Sequence, residues 1–222
     1  MIETIGETER SYDHIRTERP EDSLAIDEVV RLAFGQDDEV LLVRALRDGG
    51  FNLLSLVATS QDEVIGHLLF TRLPIVGDRQ TWNAVSLAPL AVIPAKQRGG
   101  VGSALLQVGL RQLQERRETI VVVLGHEHFY TRFGFTAKAA EPLAAMFHGP
   151  AWMALELALG ALEGVRAGCS MRRRLGVSCQ QKKGRKAVPR REHVRGRMDS
   201  ALGRGALPRP VRMDSLALVV LA

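Results

Sequence analysis

Gln97-Arg98-Gly99-Gly100-Val101-Gly102-Ser103 is the stretch of this chain whose residue types and spacing point most directly to chemistry. It follows an apolar strand-like segment, Ala84 to Val92, and leads into an amphipathic helical pattern, Ala104 to Arg117. A glycine-rich turn between strand and helix leaves backbone N–H groups unpaired at the positive end of the helix dipole, which makes an anion site. Gly100 and Gly102 lack Cβ, so a phosphate can come close to the backbone, and Arg98 adds a charge that pairs with phosphate oxygens. The expected ligand is a phosphorylated cofactor.

Spacing narrows the choice. A nucleotide P-loop needs G-x-x-x-x-G-K-[ST], and no lysine follows these glycines. Gly100-Val101-Gly102 supplies the first half of the dinucleotide fingerprint, but its third small residue falls on Leu105. Glu127 stands where a ribose-binding acid could lie, so a dinucleotide stays open at this point, as does a turn that merely starts a helix. Against the dinucleotide, some eighty residues and several strands precede the loop, whereas a Rossmann domain places it after the first strand.

Three stretches together carry a resemblance. Q-x-x-G-x-G, here Gln97, Gly100 and Gly102, resembles the pyrophosphate-binding loop of the GNAT superfamily of N-acetyltransferases. Leu87-Ala88-Pro89-Leu90-Ala91-Val92 is similar to the strand that precedes that loop. Phe129-Tyr130-Thr131-Arg132-Phe133-Gly134-Phe135 matches the family's Tyr-x-x-x-Gly-Phe element, about thirty residues downstream. The likeness spans approximately residues 13 to 160. It implies a mixed α/β domain: a central, mostly antiparallel sheet flanked by helices.

It also implies acetyl-CoA as cosubstrate and direct attack of a primary amine on the thioester. That chemistry needs a neutral amine, a polarised carbonyl and a proton for the departing thiolate. The resemblance gives the last task to Tyr130, which is the only local phenol because position 129 is Phe129. A tyrosine that only packs against the cofactor arm is the other possibility. Backbone groups of Leu90, Ala91 and Val92 are expected to hold the pantetheine arm, with Pro89 and Pro94 removing donors at fixed points. Gln97, Arg98, Gly99, Gly100, Val101, Gly102 and Ser103 are expected to hold the pyrophosphate. Glu39, His67 and Ser86 fall on elements that flank the acceptor cleft in the family, and no motif selects one as general base. His126-Glu127-His128 offers two nitrogen ligands at His-x-His spacing without a third, so no metal is expected.

The elements needed to position these groups can be read from periodicity. Tyr12 to Glu18 reads as a strand, and Pro20-Glu21-Asp22-Ser23 starts a helix that places Leu24, Val29, Ala33 and Phe34 near one face. A second helix runs from about Asp38 to Arg47, closed by Gly49-Gly50. Leu53–Thr59 and Glu63–Leu73 form a hairpin across Ser60-Gln61-Asp62. Thr119–Leu124 is a buried strand, and Phe135–Lys138 and Ala151–Leu157 are the last ones expected.

Charge separates the chain into two parts. Residues 167–222 hold 14 Lys/Arg against 3 Asp/Glu, a net of +11, and the remainder is net −6. Residues 1–12 read as a leader, 13–166 as the acetyltransferase-like domain and 167–222 as a basic tail. The tail has no aromatic residue and no apolar period, the composition of a disordered extension. It is also the one place where a nucleic acid would bind, electrostatically and in a salt-sensitive way. The abrupt change after Gly164-Val165 is what a shifted reading frame would produce, which resequencing the locus tests. Both cysteines, Cys169 and Cys179, lie in the tail, so neither a disulfide framework nor a zinc site is expected. The acidic start lacks an apolar signal core and the final apolar run is too short to span a bilayer, so a cytoplasmic protein with no membrane contact is expected. The acceptor, and the choice between monomer and homodimer, are left open.

Overall fold

Helices cover both faces of a twisted sheet in the computed structural model, which describes residues 11–77, 81–144, 149–165 and 167–169. Residues 1–10 of the leader, and the tail from 170 onward, lie outside the described residues. In chain order the elements are β1 (His14–Thr17), α1 (Ser23–Phe34), α2 (Asp38–Asp48), β2 (Asn52–Ser60), β3 (Glu63–Gly77), β4 (Thr81–Val92), α3 (Val101–Glu115) and β5 (Ile120–Leu124). There follow α4 (Glu127–Tyr130), α5 (Ala137–Ala140), β6 (Leu143–Ala144), β7 (Trp152–Glu156) and β8 (Ala167–Cys169). The main strand order is β1-β2-β3-β4-β5-β7, and β4–β5 is the one parallel pair on this path. This is the mixed, mostly antiparallel sheet flanked by helices that the sequence suggests.

Local chemistry accounts for the hairpin of β2 and β3. Gln61 and Asp62 both take positive φ, +50° and +64°, as a tight two-residue turn matched to strand twist demands. Ser60 pairs with Glu63 across it. Strand residues alternate between two buried faces. Leu54, Leu56, Ala58, Leu68, Phe70, Val85, Leu87, Val121 and Val123 pack with Val101, Leu105 and Leu106 of α3. On the other face Val57, Leu69 and Ala91 pack with Ile26, Val29 and Val30 of α1 and Val40 and Val43 of α2.

α3 lies close on its face because Gly109 allows it. A Cβ on Gly109 would stand 2.6 Å from Phe70 Cε2 and 3.0 Å from Leu68 Cδ2, both in wholly buried side chains. Gly109→Val therefore overpacks the core. The expected loss is about 1–3 kcal/mol, which the slight helix-propensity gain of Val over Gly does not offset. Thermal denaturation checks it; an unchanged melting point would mean that Phe70 can move aside.

Three elements differ from the periodicity. Leu24 is not on the inner face of α1: it is 80% exposed, and Ile26, Val29 and Val30 point inward. The α-helix begins only at Ser23, three residues after Pro20, because Pro20–Asp22 forms a short 3-10 turn, and this rotates the inner stripe. Phe135–Lys138 is not a strand. Thr136 makes a single bridge to Ala154 and its hydroxyl accepts from Ala139 N–H at 3.1 Å, capping α5 instead. α3 starts at Val101 rather than Ala104, since Gly100 at φ +85° serves as its N-cap. A short addition was not foreseen: Ala167–Cys169 pairs antiparallel with Ile75–Gly77 of β3 and parallel with β6.

Candidate active site

β4 and β5 run side by side for only two register positions, Val85↔Val121 and Ser86↔Val122. Beyond them Val123 and Leu124 pair with β7, and Leu90, Ala91 and Val92 pair with β3. The two parallel strands therefore part, and a wedge opens between them. Ile93 N–H donates to Ile65 O at 3.0 Å. By antiparallel alternation Ala91 also commits its backbone to β3, and Leu90 and Val92 turn theirs outward to the wedge. Val92's carbonyl accepts from Gln97 Nε2 at 3.0 Å, and by the same alternation Leu90's two groups and Val92's N–H are turned to that side.

The glycine run sits at the mouth of this wedge. Residues 97–100 are exposed, and Arg98 and Gly100 turn the chain with φ of +62° and +85°. A Cβ on Gly100 would meet nothing within 4 Å. The first N–H groups of α3 have no partner one turn earlier, as at any helix start, and the dipole favours an anion there. Gln97's side-chain amide reaches back to Val92, so it ties the loop to β4. Ser11 does likewise from the chain's start, donating to Gly99 O at 2.5 Å.

One position joins all three motifs. A Cβ on Gly102 would lie 3.7 Å from Val92 Cγ2 and 3.8 Å from both Leu90 Cδ2 and Phe129 Cζ. The loop, the outward-turned strand and the aromatic element thus converge where β4 leaves β5. Tyr130 follows Phe129, is 5% exposed, and packs edge-on against Phe129 and Phe135 with ring centroids 4.9 and 5.7 Å away. Burial pushes its phenol well above the ordinary value, so it keeps its proton at any physiological pH. No hydrogen bond to a described residue holds its hydroxyl.

Among the groups considered as base, His67 is enclosed. It is 0% exposed, and Ser55 Oγ lies 2.9 Å from its Nε2. Ser55 donates its proton to Glu18, so Nε2 carries the hydrogen that Ser55 accepts. Burial lowers the imidazole's pKa and keeps it neutral. Glu18 also pairs with Arg47 at 2.7 Å. Ser86 lies on β4 at the last position before the wedge. Glu39 on α2 is 0% exposed, with Oε1 accepting from Gln36 at 3.0 Å and Oε2 lacking a partner. His126, Glu127 and His128 do not form a metal cluster: among the described residues no group of three His, Cys, Asp or Glu is placed to hold an ion.

Arg132 was present in the quoted motif but had no expected role. Its guanidinium lies over Phe129 and Phe133, 5.1 and 5.7 Å from their centroids, and its Nη2 stands 3.5 Å from Ser103 Oγ. An arginine within a run of aromatics, unaccompanied by an acid at helical spacing, was the available signal.

A parallel strand pair that splits beside a helix N-terminus, with a buried phenol adjoining, is an arrangement that can take an anion at the helix start and supply a proton beside it. The profile of the acetyltransferase (GNAT) domain matches residues 14–137. The uncharacterized N-acetyltransferase YhbS of Escherichia coli is 38% identical over 154 residues, 68% of this chain and 91% of that protein. A crystal structure of E. coli YhbS in complex with CoA superposes with a TM-score of 0.65 at 36% identity, covering 71% of this chain and 88% of that one. A GNAT acetyltransferase of Brucella melitensis in complex with acetyl-CoA gives 0.56 at 33% identity, covering 65% and 88%. This chain belongs to the GNAT family of acetyltransferases. No helix among the described residues is long and apolar enough to cross a membrane.

Proposed function

We propose that this protein transfers the acetyl group of acetyl-CoA to a primary amine of its acceptor by direct attack. The convergence of loop, strand and aromatic turn on Gly102 carries the proposal, and the CoA and acetyl-CoA held by its two relatives support it. The residues fit such a donor: Gly100 opens to solvent where a Cβ would stand, and the wedge has unpaired backbone groups along one side. Acetyl-CoA supplies an activated thioester when bound. Free N–H groups at Gly100 to Ser103, with Arg98, hold its pyrophosphate. Leu90 and Val92 hold the pantetheine arm as an added strand would be held. Ala91 supports them from the β3 side.

Tyr130 gives its proton to the sulfur as the thiolate departs. A neutral phenol kept dry by Phe129 and Phe135 is a donor that does not ionise ahead of the step. Acetyl-CoA binding by calorimetry, followed by a screen of amines for free-CoA release, tests this function. A protein that binds acetyl-CoA yet releases CoA with no amine beyond its rate in buffer would leave a binding protein without transfer.

The basic tail favours a second reading, a nucleic-acid contact through its +11 charge. A chain ending at Cys169 is expected to bind acetyl-CoA like the full chain, since every group named above precedes it. A chain ending at Val165 lacks the three residues that pair with β3 and β6, and it is expected to melt lower while still binding. Retention of RNA or DNA at low salt by the full chain alone would give the tail a role of its own.

A further inference from the structure

Arg132 is a cation with no counter-ion among the described residues, held against the helix start that the proposed function gives to pyrophosphate. Two of its N–H groups make long contacts: Nε with Phe129 O at 3.4 Å and Nη2 with Ser103 Oγ at 3.5 Å. No carboxylate pairs with it among the described residues, although Arg16, Arg31, Arg44, Arg47 and Arg72 all have one. The guanidinium is nonetheless placed, not loose, because its central carbon lies over the Phe129 and Phe133 rings, 5.1 and 5.7 Å from their centroids. Ser103 is the third residue of α3, so the guanidinium stands beside the same turn that presents the free N–H groups. Two positive features stand side by side, and no carboxylate among the described residues pairs with the guanidinium. A guanidinium fork suits phosphate oxygens better than a point charge does.

We infer that Arg132 closes the cofactor site from the aromatic side, pairing with the pyrophosphate of acetyl-CoA opposite the glycine loop. This rests on the proposed use of acetyl-CoA. The consequence reaches the reacting end. Arg132 lies in the 3-10 turn Thr131–Phe133, which Tyr130 caps, so a phosphate held by Arg132 ties the turn carrying the phenol to α3. The pyrophosphate thereby fixes the aromatic turn as well as the loop. Arg98 on the other side lies at φ +62° in an exposed bend and has no such support.

The test compares parent, Arg132→Ala and Arg132→Lys by calorimetry with CoA and with 3′-dephospho-CoA, which keeps the pyrophosphate. Removing a charge-assisted phosphate contact is expected to weaken CoA binding roughly ten- to a hundredfold in the Ala variant, with partial recovery in Lys. The same factor should appear with 3′-dephospho-CoA. Hydrogen exchange across residues 127–134 should slow on CoA binding in the parent and stay fast in the Ala variant. Equal CoA affinity in parent and Ala variant overturns the inference while leaving acetyl-CoA use intact. A loss seen with CoA and absent with 3′-dephospho-CoA also overturns it, moving Arg132 to the 3′-phosphate. Failure of the parent itself to bind CoA removes the proposed function, and the inference with it. The ligand-free melting point of each variant, expected near the parent's because Arg132 is exposed, separates binding from folding.

Discussion

Tyr130→Phe is expected to lose turnover by about a hundredfold to ten-thousandfold, the range for removal of a general acid, while acetyl-CoA affinity changes little. The ring is what packs: it meets Phe129 and Phe135 edge-on, and a phenylalanine keeps both contacts. No described residue depends on the hydroxyl for a hydrogen bond, so its removal leaves no buried group stranded. Phe129 offers no second phenol to take over. With an acceptor amine in hand, kcat and KM of both forms across pH give the answer. Full turnover in the Phe variant at every pH would make Tyr130 a packing residue. Collapse of acetyl-CoA affinity together with turnover would make its role structural.

Gly100→Val is expected to weaken acetyl-CoA binding by roughly a hundredfold or more, because several charge-assisted hydrogen bonds are worth that much together. Its φ of +85° is one that a β-branched residue resists, so the turn opening α3 shifts and its N–H groups lose their aim. The new side chain also projects into the open space at the wedge mouth. Backbone strain alone costs about 1–2 kcal/mol, which lowers the melting point without touching a ligand. Gly35→Val separates the two effects. Gly35 closes α1 at φ +72° and is equally open, so it carries like strain on an element that holds no phosphate. Calorimetry on both variants should show lost affinity at position 100 and parental affinity at position 35. Equal affinity for acetyl-CoA in Gly100→Val would remove the loop from the site.

Much of the fold could be read where local rules act alone. The hairpin of β2 and β3, the buried run of β5, the closure of α2 at Gly49 and the strand–glycine–helix unit follow from alternation, turn residues and caps within a few positions. Phe135–Lys138 misled because Phe135 is wholly buried and reads as strand, while the Thr136 cap at the next residue turns the chain into α5. Leu24 misled because amphipathic spacing does not fix which residue begins the helix. β6 and β8 are two and three residues long, too short for any period to show.

The sequence by itself determined that a phosphate-binding turn opens a helix after an apolar strand, and that a lone tyrosine follows some thirty residues later. These depend on residue type and spacing, which a chain carries before it folds. Only tertiary structure decided that the three motifs meet. The contact of Gly102 with Leu90, Val92 and Phe129 is made by residues 10 to 27 positions away, joined through the parting of β4 from β5. Tertiary packing also decided which candidates were enclosed. His67 in its apolar strand reads more as a core histidine than as a base, and Ser55 of β2 with Glu18, just after β1, makes it a neutral core residue. Arg132 has no role that the sequence alone assigns, and two phenylalanines hold it beside α3. Burial and counter-ion pairing are sums over everything that packs nearby, and no window along the chain contains those neighbours.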